Sequence, residues 1–123
     1  MSSSEDFTGW ARDRFRESGG FTALIVLLRI GATTVTPVAS SYLHVIGDEL
    51  VWLDVAELLH KSGRPWDGVA FFVETGAEGG PIPDAIARER LTVRAAEVVA
   101  DRLSLNGAGL FDRSGRAFRV DPA

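Results

Sequence analysis

The segment that most constrains this chain is Phe21-Thr22-Ala23-Leu24-Ile25-Val26-Leu27-Leu28-Arg29-Ile30. From Ala23 to Leu28 it is apolar without interruption, and it includes β-branched residues. It falls far short of the roughly 18 apolar residues that span a bilayer. A half-solvated strand or helix would show polar residues at a regular period, and none appear. The run therefore predicts a strand buried on both faces. Such a strand needs other elements above and below it.

The flanking segments offer that cover. Phe7, Trp10, Ala11 and Phe15 recur at helical spacing, with Arg12, Asp13, Arg16 and Glu17 mostly opposite, which predicts a short amphipathic N-terminal helix. Ser2 and Glu5 have capping-box spacing, Ser3 and Ser4 are further caps, and Gly19-Gly20 ends the helix. After the apolar run, Gly31 and Pro37 bracket an irregular connection with room for a short extended piece at Thr33–Thr36, where Pro37 disfavours a central strand. Tyr42–Ile46 and Leu50–Leu53 flank Gly47-Asp48, a hairpin signal that places Trp52 in a strand. Asp54 and Glu57 form a second capping box and open a short helix that Gly63 stops. Val69–Val73 reads as another buried strand.

Thr75–Pro83, with its glycines and prolines, is a loop. Asp84 caps a long helix over Ala85–Leu103 whose apolar face is Leu91, Ala95, Val98 or Val99, and Leu103. Thr92 marks a potential break in it, and Asn106-Gly107 stops it. Gly109–Asp112 and Arg116–Val120 then flank Arg113-Ser114-Gly115, with Gly115 suited to a left-handed turn position. The expected fold is α+β: a mostly antiparallel sheet with two β-hairpins, packed by an N-terminal helix, a short helix and one long helix. The order is α-β-ββ-α-β-α-ββ. Residues 1–123 have the length of one domain.

Composition narrows the function classes. There is no cysteine, which removes disulfides, thiolate zinc sites and a cysteine nucleophile. Twelve of the thirteen basic residues are arginine and only Lys61 is lysine, a pattern of codon bias in a GC-rich bacterial genome or of bidentate carboxylate and phosphate contacts. Met1–Asp6 has neither a basic region nor an apolar one, so no secretory signal is read there and the expected location is the cytoplasm. Mean hydropathy is slightly positive, an excess that a homodimer interface, a partner face or an apolar pocket would absorb.

Charge is uneven. Asp48, Glu49, Asp54, Glu57, Asp67, Glu74 and Glu78 face only Arg29, Lys61 and Arg64 across residues 21–80, within a chain of formal charge −4. That argues against a nucleic-acid footprint and for a basic protein partner. Arg113, Arg116 and Arg119 crowd the terminal hairpin, and helix-then-hairpin is the order of winged-helix DNA-binding domains. The net charge and the missing helix-turn-helix weigh against that reading.

Catalytic patterns are weak. His44 and His60 lack metal-ligand spacing. Ser40, Ser41, His44 and Asp48 are close in sequence, but strand alternation scatters their directions, and no Gly-x-Ser-x-Gly elbow is present. Gly76-Ala77-Glu78-Gly79-Gly80 sits where a phosphate loop would, without its lysine and with repelling carboxylates at Glu74 and Glu78. Glu74, Glu78 and Asp84 lack the stricter spacing of a calcium loop.

The leading expectation is a non-catalytic bacterial protein-interaction module, without cofactor or metal. It would act through an acidic face at Asp48, Glu49, Asp54 and Glu57, with Trp66 either an exposed aromatic anchor in its polar turn or folded back over the core. Its roles would be those of an immunity- or antitoxin-like inhibitor, an accessory protein or an assembly subunit. The alternative is a small-molecule-binding domain or small enzyme, with a pocket between sheet and long helix gated by the 74–83 loop, where Glu74, Gly76, Glu78 and Gly79 would act.

Overall fold

The computed structural model describes residues 6–32, 34–47 and 49–120. Phe21–Ile30 is strand β1, and its first eight residues are buried. Ala23, Ile25 and Leu27 enter one apolar cluster, while Leu24, Val26 and Leu28 enter another on the opposite face. This is the two-sided burial that an uninterrupted apolar run requires.

β1 pairs antiparallel on both sides. One neighbour is β2 (Val35–Val45), the other β3 (Gly68–Glu74), and β4 (Gly109–Asp112) adds to β3. The sheet order is β2-β1-β3-β4. Helices α1 (Phe7–Ser18) and α2 (Trp52–His60) cover one face through Phe7, Trp10, Ala11, Val55 and Leu59. Helix α3 (Asp84–Ala100) and a 3-10 helix (Arg102–Gly107) cover the other through Ala87, Leu91, Val98 and Leu105. The protein is α+β, with an antiparallel four-stranded sheet and its elements in the expected order.

Local assignments differ in places, each for a physical reason. Leu50–Leu53 is not the second arm of a hairpin: Trp52 begins α2. Trp52, Val55, Ala56 and Leu59 lie at helical spacing, and burial of Val55 and Leu59 outweighs the β propensity of the preceding residues. The capping box at Asp54 is accordingly not used. Val51 is the N-cap and has no side-chain cap bond, and the Trp52 amide donates to Thr8 Oγ1 of α1 at 3.0 Å.

The partner of 42–45 is β1, from Phe21↔Val45 to Leu24↔Tyr42, and β2 continues back to Val35. Pro37 is tolerated because it lies on an edge strand and beside a bulge, the places in a sheet that accommodate a missing N–H. The register shifts between Leu27↔Ala39 and Leu28↔Pro37, so Val38 is an extra bulge residue.

Asp6 caps α1, accepting from the Gly9 amide at 2.8 Å; Ser2, Ser3, Ser4 and Glu5 lie outside the described residues. Helix α3 runs unbroken through Thr92 but ends at Ala100, leaving Val99 and Leu103 exposed. Pro83, not Asp84, is its N-cap. The terminal turn forms as read, with Gly115 at φ +82°. Its second arm makes a short pairing, through Phe111↔Ala117, an Asp112 amide to Arg116 carbonyl bond of 2.9 Å and a Phe118 amide to Leu110 carbonyl bond of 3.1 Å. Beyond it, the Asn106 side chain holds both the N–H and the C=O of Val120 at 2.9 Å.

No helix among the described residues is long and apolar enough to cross a membrane.

Candidate functional site

Helix α2 and the connection before it carry three of the expected acidic residues, Glu49, Asp54 and Glu57, all exposed; Asp48 lies outside the described residues. Large apolar side chains are exposed among them: Ile46 (78%), Leu53 (79%), Val51 and Leu58. Exposure of single apolar residues is ordinary, but four within thirteen residues, interleaved with carboxylates, make a surface patch. Amphipathicity explains the arrangement: Val55 and Leu59 turn inward, so Asp54, Glu57, Leu53 and Leu58 face solvent.

A groove runs alongside, between α2 and β2. At one end a depression of 330 Å³ is floored by Ile25, Leu27 and Ala39 and walled by Leu58, Leu59 and Ser62. It adjoins one of 360 Å³ that also contains Leu58, with Leu43, Leu50, Asp54, Glu57 and Lys61. A third, of 280 Å³, shares Leu43, Leu50 and Asp54 and is rimmed by Ile46 and Glu49. The floor is apolar and the rim carries three carboxylates against one ammonium group.

Trp66 does not join this surface. It is 3% exposed, with the His60 ring 6.0 Å away and the Arg113 guanidinium 5.5 Å above its own ring. The polar turn around it anchors to the sheet, with the Asp67 amide bonded to the Leu28 carbonyl and the Ile30 amide to Asp67 Oδ2. Of the two readings open for Trp66, the ring folds back over the core and is not an exposed anchor.

The 74–83 loop is also not what the gate reading needs. Gly76 donates to the Gly80 carbonyl and accepts from the Gly79 amide, both at 3.0 Å, with Gly79 and Gly80 at positive φ. Glu74 is engaged by Arg94 at 3.0 Å with only 15% of its side chain exposed. Burial lowers the Arg94 pKa, but its hydrogen bonds to the Glu74 and Glu97 carboxylates outweigh it and raise the value. Glu78 is exposed, and neither it, Gly76 nor Gly79 lines any depression described here. Between sheet and α3 the centre is filled by Leu24, Val26, Ala70, Leu91 and Val98, while a depression of 540 Å³ opens between Val35–Pro37 of β2 and Val98–Ala100 at the end of α3, lined by no residue of 74–83.

The structure assembles one polar chain that the sequence conceals. Thr22 Oγ1 lies 2.8 Å from His44 Nδ1, and His44 Nε2 lies 2.8 Å from Asp84 Oδ1. Thr22 is fully buried and its oxygen accepts from the Ile82 amide at 3.0 Å. The hydroxyl can donate its own proton to Nδ1 or accept from it, and Nε2–H donates to Asp84 in either case. The order hydroxyl, imidazole, carboxylate is that of a hydrolase triad. Here the hydroxyl is sealed from solvent, so the chain acts as a clamp joining β1, β2 and the start of α3. No sequence motif could reveal it, because the members lie 22 and 40 positions apart.

Two predictions follow from the clamp. Thr22→Val keeps the shape but leaves the buried Ile82 amide and His44 Nδ1 unpaired, so it should cost about 1–3 kcal/mol in urea unfolding. A loss below about 0.5 kcal/mol would show that these groups find other partners. The second concerns pH. The hydrogen bond from His44 is the leading cause holding the Asp84 carboxyl below its ordinary 3.8. A depressed carboxylate pKa contributes stability that is present above 3.8 and fades as pH falls through the lower, folded value. The stability advantage of wild type over Asp84→Asn should therefore hold above that pH and shrink below it. A difference that stays constant in denaturation series across this range would refute the assignment.

A separate slot of 500 Å³ opens where β4 begins, among Trp10, Arg14, Phe72, Arg94, Ser104 and Gly109. Arg14 Nε and Ser104 Oγ are buried there without a partner among the described residues. No three His, Asp or Glu side chains among the described residues could together hold a metal ion.

Fold and surface together define a small three-layer α+β domain with an acidic, apolar flank beside an edge strand. No protein-family model, curated protein or solved structure matches this chain.

Proposed function

We propose that this protein is a non-catalytic interaction module of a bacterial cytoplasm that captures a basic protein through the α2 flank. The observation that carries the reading is the interleaving of Glu49, Asp54 and Glu57 with exposed Ile46 and Leu58 around one groove, with Leu53 exposed on the same helix. Apolar contacts would supply affinity, and the carboxylates would select a lysine- or arginine-bearing partner and steer its approach. A second copy of the chain fits less well, since it would bring the same carboxylates. An inhibitor of a basic protein, an accessory factor or a subunit of a larger assembly all fit this chemistry.

The test is native mass spectrometry of the protein purified with its bound partner, repeated for a variant carrying Glu49→Arg, Asp54→Arg and Glu57→Arg. These side chains are exposed, so the fold should survive. Capture should weaken about 100-fold or more, as expected for several like-charge contacts. Undiminished capture by the folded variant would remove the reading.

The small-ligand alternative has one observation in its favour, the unpartnered Arg14 Nε and Ser104 Oγ in the slot beside β4. It would place the ligand there and not under the 74–83 loop.

A further inference from the structure

We infer that the basic partner is held as an added β-strand on the free edge of β2, a proposal that rests on the acidic-flank reading and specifies how that flank is used. β2 has β1 on one side only. Among the described residues, no hydrogen bond beyond the β1 ladder uses the backbone groups of 38–45. Unpaired edge groups of this kind are a template for another chain, and proteins usually protect them with charged residues, proline or a covering segment.

Here protection is confined to one end. Pro37 and the bulge at Val38 interrupt the edge at the start of β2. The following residues, Ala39-Ser40-Ser41-Tyr42-Leu43-His44-Val45, include no aspartate, glutamate, lysine, arginine or proline. Ser40 and Ser41 are small and exposed, so a neighbouring strand can approach closely. The groove described above follows this same stretch, from Ala39 at one depression to Val45 and Ile46 at another.

The occupant follows from charge and period. A strand laid beside β2 would point alternate side chains toward α2. Those side chains would meet an apolar floor at Leu43 and Leu58 and carboxylates at Asp54 and Glu57. An extended segment bearing apolar and basic residues satisfies both, with main-chain bonds giving affinity and the groove giving selectivity. A second copy of β2 would pair with the edge equally well but would bring Glu49, Asp54 and Glu57 against themselves. The occupant is therefore a basic, extended segment of another protein.

The probe is a short synthetic peptide alternating lysine with valine or leucine, followed by calorimetry and by amide hydrogen exchange of the full chain. Two further peptides carry N-methyl groups on alternate amides, one set on the odd positions and one on the even. In an antiparallel pair only alternate residues bond across a given edge. One methylated peptide should keep its affinity and the other should lose about tenfold or more. Amides within 39–45 should gain protection, and Asp54→Arg with Glu57→Arg should weaken the unmodified peptide at least about tenfold.

If the peptide binds and responds to charge reversal, but 39–45 gains no protection and both methylated peptides bind alike, the added strand is overturned and the acidic flank stands. No binding by the unmodified peptide overturns the basic occupant for flank and edge together. Binding indifferent to the charge reversal does the same.

Discussion

Phe7→Ala should lower the unfolding free energy by about 3–5 kcal/mol, the range for deleting a large buried aromatic. Phe7 is 1% exposed and contacts four rings: Trp10, Trp52, Phe71 and Phe111, with centroids 4.7–5.9 Å away. These come from α1, α2, β3 and β4, so a single side chain joins both covering helices to the sheet. Little can collapse into the space, because the surrounding rings are held by one another, as in the Trp10–Phe21 and Phe71–Phe111 pairs. A domain of this size has a total stability of about 5–15 kcal/mol. The variant should therefore melt roughly 10–20 °C lower, and α1 amides should exchange faster. A melting shift under about 5 °C would mean that α1 contributes far less to the folded state than its burial implies.

Gly115 is the position where one added methyl should do most harm. Its φ of +82° already disfavours any other residue, and a Cβ there would lie 2.6 Å from Trp52 Cγ. The Trp52 ring cannot simply retreat, since Phe7 lies against it at 5.5 Å and the Gly115 carbonyl accepts the Phe7 amide at 2.8 Å. Backbone strain and overpacking together should cost Gly115→Ala about 2–4 kcal/mol. The two causes separate in a double mutant. In a Trp52→Ala background the steric part disappears, and the same glycine replacement should cost only the conformational part, about 1 kcal/mol. Equal costs in both backgrounds would show that the ring contact is not what excludes a side chain.

The acidic flank illustrates how far residue-level reading reaches. Charge in 48–57 was legible because exposed carboxylates need no partner to be charged. That α2 also exposes Leu53 and Leu58 was not legible, because the Leu50–Leu53 segment reads equally as a strand and as the entry to a helix. Packing of Val55 and Leu59 on the sheet decides between them. Trp66 stays open between exposure and burial for a related reason. Its neighbours Pro65, Asp67 and Gly68 are turn formers, and turn chemistry reports backbone direction, not the direction of a ring. Glu74 reads as a loop carboxylate because Arg94 is twenty positions away.

By itself the sequence determined the central strand, the two-sided cover it demands, the number and order of the helices, and the turn at Gly115. All of these follow from hydrophobic period and local backbone preference, which act over a few residues. Only the tertiary structure decided that 35–45 pairs with β1 as an edge strand, that Thr22, His44 and Asp84 form a clamp, and that the edge of β2 lies open beside the α2 groove. Those outcomes depend on which distant segments share a ladder. Strand pairing is chosen by the burial of whole faces across the sheet, and no local stretch of residues encodes it.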